Sequence, residues 1–311
     1  MAGPKTDYHL ADWMSHLPES CVQTPLNLLA IPGSHDSFSY SVTPAGDVGP
    51  DEPQWIQDLI RMFGTAGKDI MYRWSVTQNL NVSQQLEQGI RYLDCRVCWS
   101  SKTQDFHFLH GLLGAKVSAC LDDVSSFLEK HPKEVLILDF NHFYCMSNTD
   151  HVNLLTMLTD KFGSKMCPYI DMESVTLDMM WEHNLQVLIF YQNDVVKEHL
   201  TFWPGTTIRA PWANTPNIPD LMSFLDNQYK TGRIDNVFYV WQGVLTPGVA
   251  TVIANFSSSL KDTLAKKLAP FFVSWLKDKK TGSHGISICG MDFIELGNYV
   301  STLIELNYSA C

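Results

Sequence analysis

Four apolar runs of the chain end in groups able to move protons or hold an anion: His35 and Asp36 in AIPGSHDS, Asp94 and Arg96 in RYLDCRV, His110 in FLHGLLG, and Asp292 in CGMDF. Two imidazoles can serve as general base and general acid, carboxylates beside them fix their tautomers, and a guanidinium holds a phosphate. Together these are the groups needed to split a phosphodiester without a metal ion. Asp94 and Arg96 stand two apart, on one face of a strand, while Cys95 and Val97 turn the other way. Buried charge of this kind demands a partner, and a structural ion pair is the plain alternative. His35 and Asp36 are adjacent, so continued strand geometry would send them to opposite faces and leave each to find its partner elsewhere.

Elements that could position these groups are readable from apolar runs of strand length at 27–31, 90–97, 106–110, 134–141, 185–191, 207–211, 236–243 and 285–293. Between most of them lie stretches with helical periodicity, including VSACLDDVSSFLEKHP, TDHVNLLTMLTDKFG and SSLKDTLAKKLAPFFVSWLKDKK. Near-continuous apolar strands alternating with amphipathic helices predict an α/β fold with a mainly parallel sheet, and eight such strands favour a single (β/α) barrel. The short loop between the second and third runs, and a Gly-, Pro- and aromatic-rich insertion at about 43–80, predict a distorted barrel. Residues 1–24 read as an N-terminal extension and 25–311 as one catalytic domain, with no internal repeat or charged linker. Chemistry gathered at strand ends belongs on the C-terminal face.

A formal charge of -11 argues against sequence-independent nucleic-acid binding, which needs basic surface. The amino terminus lacks a signal-peptide core and no apolar run nears the ~20 residues of a membrane span, so a cytoplasmic protein is expected. Eight cysteines without paired spacing suit reduced, mostly buried thiols, and Cys95-x-x-Cys98 has no second pair to complete a zinc site.

IPGSHDS, then LEQGIRYLDCRV with HFLHG a dozen residues on, then FLEKHPKEVLILDF, together resemble the X region of phosphatidylinositol-specific phospholipase C. The resemblance runs from about residue 25 to 295 and implies a distorted TIM barrel. It implies His35 as general base, His110 as general acid, Asp36 orienting His110, and Asp292 orienting His35, with Glu295 near the last position. The calcium-dependent branch of that family carries two metal-binding acids on the second strand, where this chain has Asp94-Cys95-Arg96. Arg96 in place of the second acid resembles the metal-independent branch, with Asp94 positioning the guanidinium; no cofactor is expected.

At the strand ends where the bacterial relatives carry basic residues, LDFNHF and IFYQND place Asn141 and Gln192, which leaves room for a phosphodiester lipid other than phosphatidylinositol itself. Trp241 and Gln242 are expected to form one wall of the pocket, with simple packing as the alternative for Trp241. In the insertion, Trp55, Ile56, Ile60, Met62 and Phe63 are candidates for transient membrane contact, or else belong to a helix packed on the barrel. The implied activity is cleavage of a phosphoinositide lipid to diacylglycerol and an inositol phosphate. The competing readings are a headgroup-binding protein without turnover and a metal-dependent phosphodiesterase on a similar barrel. No obligate protein partner is implied.

Overall fold

The computed structural model describes residues 9–50 and 64–310. Ten strands form one sheet: β1 Ile31–Ser34, β2 Tyr92–Ser100, β3 Asp105–His110, β4 Leu112–Lys116, β5 Leu136–Tyr144, β6 Val187–Tyr191, β7 Trp203–Pro204, β8 Ile208–Arg209, β9 Phe238–Gly243 and β10 Ile288–Met291. Eight of them run in the order β7-β6-β5-β2-β1-β10-β9-β8, every neighbouring pair parallel. This is a distorted TIM barrel, left open between β7 and β8. Burial on both faces explains why β6 (VLIFY) and the first part of β5 contain no solvent-facing polar alternation.

The expected eight strands were not the eight of the barrel. The run at 106–110 is β3, which pairs antiparallel with β2 and β4 and stands outside the ring. Its place is taken by β7, two residues long and too short to carry a periodic signal.

Helices Thr65–Ser75 (α1), Val82–Glu87 (α2), Val117–Lys130 (α3), Asn148–Phe162 (α4), Leu177–Glu182 (α5), Ile218–Thr231 (α6), Val249–Ala254 (α7), Lys266–Lys277 (α8) and Tyr299–Ala310 (α9) accompany the strands. In α3 the buried set Val117, Cys120, Leu121, Val124, Phe127 and Leu128 forms the helical stripe that covers the sheet. Ser147 and Asp150 cap α4 reciprocally, satisfying donors that would otherwise be left open at its start. None of the described helices is long and apolar enough to cross a membrane.

The foot of the barrel is closed by residues 10–16, whose Trp13 is fully buried and donates its indole N–H to the Gly89 carbonyl. There Arg91, fully buried, pairs with Glu134 and donates to the carbonyls of Leu86, Ile90 and Ala11. Glu134 accepts in turn from the backbone of Met14 and Ser15. The expectation of reduced thiols throughout needs correction: Cys21 is disulfide-bonded, whereas Cys95, Cys98, Cys120, Cys145, Cys167 and Cys289 are free. The fold lays Cys21 against α9, with its Sγ 3.5 Å from the Asn307 carbonyl oxygen, a proximity that sequence spacing does not reveal.

Candidate active site

β1 threads between β2 and β10, where a Cβ on Gly33 would come within 2.6 Å of the Tyr92 ring and 2.7 Å of the Cys289 carbonyl oxygen. Glycine is therefore required for the three strands to close. Past Ser34 the strand ends and Asp36 takes φ 41°, a left-handed conformation that Asp tolerates better than most residues. This kink overturns the alternation expected from the sequence. Both neighbours turn toward the barrel mouth, and Asp36 Oδ2 lies 3.3 Å from His35 Nε2.

Several groups hold this turn in place. The Asp36 N–H donates to Asp94 Oδ2 at 2.9 Å, Thr77 Oγ1 donates to the His35 carbonyl at 3.1 Å, and Gln78 Nε2 donates to the carbonyls of His35 and Met291. The hairpin β3–β4 supplies His110 immediately before Gly111, whose φ of 70° makes the tight reversal.

The two histidines meet different surroundings. His35 Nδ1 lies 2.7 Å from Asp292 Oδ1, while its Nε2 stands 2.9 Å from Arg96 Nη2. An acceptor thus meets Nδ1, while at Nε2 the Arg96 donor stands nearest and Asp36 Oδ2 lies 3.3 Å away. His110 Nδ1 donates to the Ser75 carbonyl at 2.5 Å, and its Nε2 faces Asp36 Oδ2 at 3.1 Å. Both of these neighbours are acceptors, so each ring nitrogen can donate. The ring centroids are 6.3 Å apart and nearly perpendicular. Glu295 is committed to Lys261 and Asn79, which leaves Asp292 as the carboxylate that reaches His35.

Asp36 is the hub. Arg96 Nε stands 2.6 Å from its Oδ1, and both histidines approach its Oδ2, yet neither oxygen receives a well-directed hydrogen bond from the described residues. Arg96 also reaches Asp94 Oδ2 at 3.4 Å. Electrostatics follow from this crowding. Burial works against the His35 cation, but Asp36 and Asp292 outweigh it and carry the ring's pKa up to about 9. Burial alone would raise the Asp94 carboxyl; Arg96 and His35 instead hold it well below the usual carboxylate range. Burial opposes the Arg96 cation too, and Asp36 and Asp94 reverse that effect.

The site opens into a cleft of about 870 Å³. Asn141 and Gln192 line it, and both donate their amide N–H to Asp139, at 3.2 and 2.8 Å; Asn141 also donates to Asp94 Oδ1 at 2.8 Å. Asp139 is fully buried and also accepts from the Tyr92 hydroxyl at 2.8 Å. Burial pushes its carboxyl up to about 6, with the donors from Gln192 and Tyr92 pulling the other way. His142 lines the cleft beside Asn141 because the β2–β5 register shifts there and breaks the alternation. Gln242 lines the opposite wall and donates to the Ala210 carbonyl at 2.9 Å.

Trp241 does not line the cleft, contrary to expectation. It is buried in the helix layer against Tyr229, Tyr239 and Trp275, because neighbours on β9 face opposite ways and Val240 and Gln242 take the inner face. The candidates Trp55, Ile56, Ile60, Met62 and Phe63 lie outside the described residues. Sequence reasoning missed Ser75, Thr77, Gln78, Asp139 and His142. Of these, Asp139 was within reach, since it stands two before Asn141 just as Asp94 stands two before Arg96.

Among the described residues, the one cluster with metal-ligand spacing is His35, Asp36 and Asp94. The Arg96 guanidinium contacts all three, and a fixed cation beside them opposes a divalent ion. The residue set does not fit a calcium site built from clustered acids.

The parallel barrel is the fold of phosphatidylinositol-specific phospholipases C of known structure. The enzyme from Listeria monocytogenes superposes with a TM-score of 0.64, covering 96% of this chain and 98% of that one at 22% identity. A Staphylococcus aureus phosphatidylinositol-specific phospholipase C gives 0.67 over 96% and 98% at 16% identity. No family model matches. Human PI-PLC X domain-containing protein 3 is 44% identical over 306 residues, 98% of this chain and 95% of its own length. Mouse PI-PLC X domain-containing protein 2 is 44% identical over 301 residues, 96% and 87% of the two chains. The chain belongs to the family of PI-PLC X domain-containing proteins.

Proposed function

We propose that the protein is a phosphoric diester hydrolase of phospholipase C type, cleaving phosphatidylinositol or a related phosphoinositide without a metal ion. The observation that carries this reading is the asymmetry of the two histidines. At His35, Asp292 holds Nδ1 and the Arg96 donor is the nearest group to Nε2, ahead of Asp36 at 3.3 Å, which suits a base once the ring has lost its proton. At His110 acceptors meet both nitrogens, which suits an acid.

In this mechanism His35 Nε2 takes the proton of the inositol 2-hydroxyl, the freed oxygen attacks phosphorus, and His110 Nε2 protonates the departing diacylglycerol oxygen. The products are diacylglycerol and a cyclic inositol phosphate. Attack by water with the histidine roles reversed would then open the ring. Arg96 holds a phosphoryl oxygen as its charge grows, and Asp94 and Asp36 aim the guanidinium. Asn141, Gln192 and Gln242 meet the headgroup, the first two oriented by Asp139. Access to a bilayer is favoured by the exposed apolar residues Val249, Ile253 and Phe256 on and just beyond α7, and by Trp212, which lines the cleft with half its surface exposed.

Incubation with labelled phosphatidylinositol tests the reading: release of cyclic inositol phosphate is expected. Headgroup binding without release would favour the second reading, a binding protein on the same barrel.

A further inference from the structure

The cleft is chemically divided, and the division follows the two histidines. His35 sits on the side bounded by Asp292, Asp94 and Arg96, with Asn141 and Gln192 further along the polar wall. His110 is fastened through Nδ1 to the carbonyl of Ser75, the last residue of α1. That helix gives the cleft an apolar wall through Ile70, Met71 and Trp74. The segment after β9 supplies a second apolar wall through Leu245, Val252 and Leu260. A clamp ties the two walls together, as Arg73 donates from Nε to the Ser258 carbonyl at 3.0 Å and from Nη2 to the Phe256 carbonyl at 2.8 Å.

The apolar track reaches Val249 at the edge of the cleft, and Val249, Ile253 and Phe256 are exposed on and just beyond α7. It also carries an unused polar group. Trp74 is 7% exposed, and its indole N–H has no partner among the described residues. A buried donor of this kind costs stability unless a ligand acceptor meets it. The cleft volume lies toward the upper end of the ~300–1,000 Å³ typical of small-molecule sites, more than one sugar-sized ring requires.

We infer that this wall is a subsite for the acyl-glycerol part of the substrate, holding the leaving group inside the protein next to the acid that protonates it. The inference rests on the proposed function for the identity of the leaving group. Ile70, Met71, Trp74, Leu245, Val252 and Leu260 take the glycerol and first methylenes of the acyl chains, and the rest of each chain leaves along α7. The Trp74 N–H is suited to an ester carbonyl. Recognition of chain length then begins in the protein and does not require a membrane.

The test is calorimetric titration of the full chain with dibutanoylglycerol and dihexanoylglycerol, both below the concentration at which they aggregate. A fully buried methylene is worth a factor of roughly four in affinity, so four additional ones, even if partly buried, should give a gain of about tenfold or more. Ile70→Asn and Val252→Asn, both at half-buried positions, should each reduce that gain severalfold. No binding, equal affinity for the two glycerides, or a gain untouched by both variants overturns the subsite. Hydrolysis of inositol nitrophenyl phosphate, which has no acyl part, reports the headgroup chemistry separately. Turnover of that compound without a chain-length gain removes the subsite and leaves the function standing. A chain-length gain in a protein that turns over neither this compound nor phosphatidylinositol removes the function and leaves the subsite.

Discussion

Arg91 and Arg96 lie five positions apart and both meet buried carboxylates, one at the foot of the barrel and one at its mouth. At the foot every group is answered: Arg91 has Glu134 and a ring of backbone carbonyls, and Glu134 has the guanidinium and two backbone N–H groups. At the mouth the charges are crowded but incompletely bonded, since Asp36 and the Arg96 Nε lack well-directed hydrogen bonds among the described residues. An arginine with buried carboxylates therefore makes a closed staple in one place and an incompletely bonded cluster in the other. What separates them is whether the fold has left bonding capacity for something else.

The largest effect should come from the mouth. His110→Ala is expected to lower lipid turnover by ~10²–10⁴, the usual worth of one proton-transfer group. A nitrophenolate needs no protonation, so inositol nitrophenyl phosphate should regain much of that loss in this variant but not in His35→Ala. Equal defects on both substrates would reverse or remove the assignment of acid and base.

At the foot, Glu134→Gln should cost about 3–5 kcal/mol of stability by leaving the Arg91 charge unmatched. Denaturant midpoints would show it, and a loss no greater than that of Arg96→Gln would break the contrast between the two arginines. Arg96→Lys is expected to reduce turnover by about tenfold to a hundredfold with little change in melting temperature, because a point charge cannot reach Asp36, Asp94 and a phosphate with planar geometry. Wild-type activity in that variant would remove the planar contact from the mechanism.

The fourth expectation concerns pH. Carboxylates raise the His35 pKa to about 9, so the neutral base becomes more populated as pH rises, and kcat/KM should climb toward that value. Asp36 contributes to the rise, so Asp36→Asn should move the climbing limb to lower pH in whatever activity remains. A limb that stays in place would exclude His35 as the titrating base. The smallest effect is expected from excess chelator, which should leave turnover unchanged given the guanidinium among the three candidate ligands. Loss of activity restored by Ca²⁺ would overturn this.

The sequence revealed the mouth better than its walls. His35, Asp94, Arg96, His110 and Asp292 were legible because charged groups ending apolar runs are costly without a purpose. For Trp241 the sequence leaves pocket wall and packing open, and strand parity, which sends it and Gln242 to opposite faces, decides for packing. Asn141 and His142 break that same parity through a register shift invisible in the chain. Ser75, Thr77 and Gln78 were not found because they act through a backbone carbonyl or on backbone carbonyls, and such contacts leave no compositional trace. Asp292 reaches His35 and Asp36 faces His110 as the resemblance implies, but the nearness of Asp36 to His35 follows from a left-handed residue that strand alternation does not foresee.

The seam between β7 and β8 has a mechanical consequence. A fully laddered ring can change its width only by breaking backbone bonds, whereas a sheet with one free pair of edges can alter its curvature with every ladder intact. The strands bearing His35, Arg96 and Asp292 are joined to one another without interruption, on the side of the ring away from the seam. Arg209 ends β8 at the seam itself, and Gln192 follows β6, one strand in from its other edge. A change of curvature would therefore be taken up at the seam edge of the mouth, while the spacing of His35, Arg96 and Asp292 rests on uninterrupted ladders.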